Sequence, residues 1–408
     1  MSKIKSLFNQ LPGWSSGWSS RLAWLFILLI GIIAVVGPLI ANEKPYYCKL
    51  DGVGYFPMFS SISESGLSAQ HPDHAPVDWN TTYFESIWRA PIPYSHYSID
   101  LKTGASISPF AKQPVSIRMR HWLGTDTLGR DVLAGMIRGC RVSLLIGLGS
   151  MLLALLIGVL LGSMAAYWGN KSKRISGLQL LLLVVILISV GIIGLLPIAM
   201  NSLLLAILLI LGFGFFAIWK LGQTGKKNIS IPVDQMIMGS VTIIDGFPAL
   251  FLIIILVTLL PVKGWLVILL VIAFLRWPVM ARYMRAEVFK MRELHYIQAA
   301  QVINLSSWRI ISRHIIPYAF RPVMISFIFG VASAILAESS LSFLGIGLPP
   351  EQMNWGRLLA QSRSHFDAWW LVVFPGFAIF FTLLSLYVIG NAWQASTTLP
   401  STTLRDQV

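Results

Sequence analysis

Long apolar runs constrain this chain more than any other feature. A run of about 20 residues with almost no charge has the length needed to cross a bilayer. Such runs fall at 22–41, 142–168, 178–196, 202–219, 236–260, 265–284, 322–344 and 371–393. In lipid each backbone N–H and C=O must be satisfied within its own segment, so every run is expected to be a helix. Of the 408 residues, 55% are hydrophobic and only 12% are charged, which places the chain among polytopic membrane proteins. The expected fold class is an all-α polytopic membrane protein with about eight spans.

The net charge of +14 does not point to nucleic acid, because the bases cluster beside the apolar runs. The most basic stretch is 285–321, which lies between two runs and is expected on the cytoplasmic side. Between 42 and 121, by contrast, acids and bases balance at seven each, as expected of an external segment. Lys3, Lys5 and Arg21 precede the first run, so the N-terminus is placed inside and the run is read as a retained helix. A cleaved signal peptide is the alternative, but no clear small-x-small site follows. The C-terminus is also placed inside. Cys48 and Cys140 have neither metal spacing nor a disulfide framework and are read as free, structural thiols. His71, His74, His96 and His121 invite a metal, but His71-Pro72-Asp73-His74 has no regular scaffold behind it, so no metal site is assigned.

Within the basic loop, 295–317 reads as two short helices with a sharp turn between them. Asn304 tolerates the left-handed conformation that a helix end often needs. Ser306 or Ser307 is placed to cap the second helix and Pro317 to end it. Trp308, Ile311 and Ile315 share one face at helical spacing, and Arg309 and Arg313 another. Ala299-Ala300 forms a small-residue patch where another surface can approach. An amphipathic helix lying on the membrane is the plainer alternative.

Two further groups of residues stand out. In the stretch 121–133, Gly124 and Gly129 allow tight turns, Thr125 and Asp131 are polar, and Asp126 can cap or pair with Arg130 or Arg138. A structural brace just outside the membrane is preferred there over direct substrate contact. Asp245 and Glu338 are carboxylates inside apolar runs, hence candidates for a transport pathway. Gly147, Gly149, Gly158 and Gly162 give the second run small faces for close helix packing.

These residues carry resemblances. Gln298-Ala299-Ala300, then Asn304, then His314-Ile315-Ile316-Pro317, resembles the "EAA" loop of ABC importer permeases, with Gln for Glu and Asn for Gly. The stretch 123–133 resembles the "LGTD–GRDVLSR" signature of the dipeptide, oligopeptide and nickel importer permeases. The stretch 336–345, containing Glu338, resembles their "LAEAALSFLGLG". The likeness extends from about 40 to 390, except for 171–231, which reads as an insertion with bases at both ends and hence an inserted transmembrane hairpin.

The resemblance implies a type I ABC importer transmembrane fold, six family spans plus that hairpin, and a role as the second permease subunit of a peptide importer in the inner membrane. It divides the chain into a tail and first span (1–41), an external segment (42–141), a core span (142–170), the hairpin (171–231), the core permease domain (232–393) and a C-terminal tail (394–408). It further implies a homologous second permease, two ATPase subunits docked on the 285–321 loop and an external substrate-binding protein. Gly222-Gln223-Thr224-Gly225-Lys226-Lys227 lacks the spacing of a phosphate loop, so the chain is expected to be no enzyme and to bind no cofactor, with ATP and magnesium held by the partners. The rival reading is a secondary transporter that uses Asp245 and Glu338 as proton or ion carriers. Peptides, nickel chelates and antimicrobial peptides remain open as cargo.

Overall fold

The structure is a computed structural model that describes residues 17–50, 52–59, 79, 84–100, 104–169, 174–175, 229–230, 232–260, 264–349 and 352–397. The hairpin runs 178–196 and 202–219, the His71–His74 stretch, the 261–263 turn and the tail beyond 397 lie outside these residues.

Among the described residues five helices are long and apolar enough to cross a membrane: α1 (Trp18–Ile40), α2 (Val132–Trp168), α5 (Trp265–Arg292), the helix running Ser307–Phe343, and α10 (Trp370–Thr397). A bent pair, α3 (Val233–Asp245) and α4 (Ala249–Leu259), is together long and apolar enough to cross and meets at 90°. The run 236–260 is therefore not the single straight span expected. Pro248 lacks an N–H and disfavours helical φ/ψ at Phe247, and Gly246 beside it offers no resistance to a turn. The helix α2 begins at Val132, ten residues ahead of the apolar run at 142. Arg138 and Arg141, carried on the first turns of α2, hide that start from hydropathy.

The described chain divides into two compact units. The first holds the residues up to Met151, Gly264–Leu270 and those from Ile328 onward. In it α10 packs along α1, with the rings of Phe26 and Phe381 6.0 Å apart, and along α9 (Trp355–Gln361). The polar stretch between α1 and α2 adds what an all-α reading misses, an antiparallel sheet ordered β2-β1-β3 from Val53–Tyr55, Tyr47–Leu50 and Ser86–Trp88. Cys48, at its centre, is buried against Trp79 and Phe84 as a free thiol.

The second unit holds 152–263 and Val271–Phe327. Here α2 and α5 cross at contact distance. A Cβ on Gly162 would stand 2.4 Å from the Ala281 carbonyl oxygen, so only glycine allows the two backbones to meet. Two short strands, β4 (Arg174–Ile175) and β5 (Ile229–Ser230), pair antiparallel and bring the two ends of the 171–231 stretch together.

Candidate functional site

The basic loop folds into α6 (His295–Val302), α7 (Ser307–Ile310), a π-wound turn (Ile311–Ile315) and α8 (Ile316–Phe343). Asn304 ends α6 at φ 58°, the left-handed region. The Leu305 N–H then donates to Ala300 O at 3.1 Å, and the Asn304 N–H to Gln301 O at 3.0 Å. That pair of bonds is the Schellman closure, which satisfies carbonyls the helix end leaves open. Ser306 occupies the N-cap position of α7, with no side-chain capping bond.

Three details of the loop differ from expectation. Pro317 does not end the second helix; it sits in the first turn of α8, and the chain runs on as helix to Phe343. A π turn leads into it, a winding that does not call on the i→i−4 bond that proline cannot make. Trp308 does not share a face with Ile311 and Ile315, being 57% exposed while both isoleucines are fully buried. Helical spacing does not by itself give burial, because a large ring such as Trp308 reaches past the side its Cα occupies. Ala299 is exposed but Ala300 is covered by its own chain, so only half of the small patch is open. Ile297, Ala300, Ile310, Ile311 and Ile315 form the buried side of the loop. Leu294, Tyr296, Val302, Ile303 and Trp308 stand exposed on it, with Gln298, Arg309 and Arg313 between them; His314 is half-buried.

The same unit holds the loop's base in place. Arg285 Nε and Nη2 donate to Asp234 Oδ1 and Oδ2 at 2.5 and 2.7 Å, a two-pronged pair. Arg282 pairs with Asp245, and Arg292 Nη1 donates to Ala166 O at 3.1 Å. The Phe289 ring takes Arg285 at 4.6 Å and Arg292 at 5.3 Å. Sequence reasoning treated these arginines as topology signals alone. The clue was there, because Asp234 and Asp245 are the only acids between 171 and 286.

In the first unit, the 121–133 stretch forms a dense polar brace. Gly124 and Gly129 turn at φ 80° and 82°. Asp126 Oδ1 accepts from the N–H groups of Leu128 and Arg130 at 2.8 Å each, and its Oδ2 from Gln361 Nε2 at 3.1 Å. Asp126 thus meets Arg130 through the backbone. Thr125 Oγ1 accepts from Ile107 N–H at 2.8 Å and donates to Gly104 O, while Thr125 O accepts from Trp370 Nε1 at 3.0 Å. Asp131 caps α2 by accepting from Ala134 N–H at 2.6 Å. Its other oxygen meets His121 Nδ1 at 2.8 Å, and His121 Nε2 meets Asp100 Oδ2 at 3.3 Å. Burial opposes a charged His121, but hydrogen bonds and charge from Asp131 and Asp100 outweigh it and raise its pKa above 6.5. Tyr94 stacks on the imidazole with centroids 4.2 Å apart.

Glu338 is fully buried in this unit. Ser143 Oγ donates to it at 2.9 Å, Ser342 Oγ at 3.2 Å and Ser339 Oγ at 3.4 Å, and Asn354 Nδ2 donates as well. Asn354 Oδ1 meanwhile caps α9 through Arg357 N–H at 2.8 Å. The carboxylate joins α2, α8 and α9, which places it in the packing rather than open to a pathway. Asp245, the other pathway candidate, is engaged by Arg282.

Several long apolar helices, an ordered polar loop and a braced polar segment define a multi-pass membrane protein. Residues 223–396 match the family described as the binding-protein-dependent transport system inner membrane component. A putative peptide transport system permease protein of Brucella suis is 31% identical over 68% of this chain and 75% of its own length. The inner membrane ABC transporter permease protein YejE of Escherichia coli is 29% identical over 90% and 89%. A glutathione transport system permease protein of Pectobacterium atrosepticum is 26% identical over 66% and 70%. The chain belongs to the binding-protein-dependent transport system inner membrane component family.

Proposed function

We propose that this chain is one of two homologous permease subunits of an ATP-driven importer for peptides, coupled to separate ATPase subunits through the 285–321 loop. The observation that carries the reading is the loop itself. A short helix closed at Asn304 presents the small Ala299 and exposed Tyr296, Val302 and Ile303, and the next helix adds exposed Trp308. Apolar groups held out in water on an ordered element mark a docking surface. The names of the relatives, among them peptide and glutathione permeases, support the cargo class. An external binding protein delivers the peptide, ATP and magnesium stay with the ATPases, and this chain binds no cofactor. Both termini lie on the cytoplasmic side, and 171–231 is an inserted hairpin peripheral to the core.

The test places Ala299→Glu and Val302→Asp separately in the whole transporter. Each variant is expected to lose ATPase co-purification and ATP-dependent uptake, by roughly tenfold or more for a change of about 1.4 kcal/mol at the interface. Wild-type behaviour of both variants overturns the coupling role. Uptake that persists without ATP and collapses with a proton uncoupler favours the secondary transporter instead.

A further inference from the structure

Arg138 and Arg141 lie one turn apart on α2, just before the apolar run that begins at 142. Among the described residues neither enters an ion pair, and the buried Arg138 Nε has no hydrogen-bond partner. Both line a cavity of about 120 Å³ inside the first unit, whose other polar walls include Asn42, Ser95 and His96 and which contains no carboxylate. Burial, followed by the charges of Arg138 and Arg130, lowers the pKa of His96 to about 4, so it enters the cavity as a neutral group at pH 7. Arg138 and Arg141 also border a space of about 150 Å³ next to Trp265. A larger trough of about 530 Å³ shares Ala34 and Arg141 with the first cavity. It runs between α1 and α2 past Gly31, Val35, Leu144 and Leu148, and is almost wholly apolar.

These features ask for one kind of ligand. Arg138 is half-buried with an unpartnered Nε and Arg141 beside it is exposed; a partly desolvated guanidinium is unfavourable until an anion compensates it, and the fork geometry of the pair fits a phosphate or carboxylate. The trough that opens at the same Arg141 asks for hydrocarbon. A free phosphate fills only the polar end. Trp265 beside the pair belongs to the headgroup level of a bilayer, where indole rings concentrate. We propose that Arg138 and Arg141 hold the phosphate of an anionic phospholipid whose acyl chain lies in the α1–α2 trough. Paired guanidinium groups hold a phosphate in this way, through parallel N–H···O bonds. The inference does not depend on the coupling loop.

The experiment uses the assembled transporter, purified with its partner subunits. Lipid retained after detergent extraction is measured by native mass spectrometry. Thermal stability is followed on adding phosphatidylglycerol, phosphatidylcholine or inorganic phosphate. The wild type is expected to retain phosphatidylglycerol and to gain Tm with it alone. The Arg138→Ala/Arg141→Ala pair is expected to retain about tenfold less or lower still. Should that pair fail to assemble, Leu148→Trp, which fills the trough and spares both charges, is expected to show the same loss. Three results overturn the proposal: wild-type retention by the alanine pair or by Leu148→Trp, an equal Tm gain from inorganic phosphate, or arginine variants that raise the KM for peptide while lipid retention stays unchanged. The last outcome makes the pair a substrate site.

Discussion

Replacing Asn304 by valine tests the loop at its most exacting residue. Asn304 holds φ 58°, and a left-handed residue with a Cβ costs about 1–2 kcal/mol, most for β-branched side chains. If the turn relaxes to avoid that cost, the Leu305→Ala300 and Asn304→Gln301 backbone bonds go with it, at about 1 kcal/mol each. A penalty of 1–2 kcal/mol lowers the ordered turn about 5- to 30-fold relative to open forms. Asn304→Gly reaches the same φ without strain and stays within about 1 kcal/mol of wild type. The assay is limited proteolysis of the loop in the purified permease complex, run beside ATPase co-purification. Valine is expected to speed cleavage between α6 and α7 and to weaken co-purification, with glycine close to wild type. If valine and glycine behave alike, the left-handed closure does not set the order of the loop, and this reasoning fails.

Three further outcomes are expected. His121 has a raised folded pKa, so its stabilising contribution is complete below the unfolded value of 6.5 and is lost as the pH rises through the folded value; Tm should fall across that window, and His121→Gln should flatten the fall. Gly162→Leu puts side-chain atoms where a Cβ alone stands 2.4 Å from Ala281 O, and is expected to destabilise by about 1–3 kcal/mol or more, read as loss of membrane-inserted protein in a detergent-stability assay. A cysteine at the exposed Arg118 should label from outside and one at Arg309 or at 226 only from inside; external labelling at 226 removes the inserted hairpin from the topology.

Much of this protein was legible in its sequence because the signals concerned are local. An apolar run in lipid must satisfy its own backbone, so the long helices among the described residues followed from hydropathy. Asn304 declared a left-handed turn through its own steric preferences. The turns at Gly124 and Gly129, and the cap at the start of α2, were readable for the same reason. The bend at Gly246–Pro248 was readable too, from one proline and the residue before it, and was passed over because hydropathy averages across it. Tertiary structure decided what each side chain meets. Ala300 and Ala299 are identical in sequence terms, yet one is covered and the other open. Trp308 stands exposed while Ile311 and Ile315, at helical spacing from it, are buried. Glu338 became a tie between three helices through Ser143 and Asn354, which lie 195 and 16 residues away. Arg282 and Arg285 found Asp245 and Asp234. Arg138 and Arg141 acquired a cavity instead of a carboxylate. Periodicity and turn preference act within a few residues along the chain, whereas burial and charge pairing depend on distances in space that only the packed helices define.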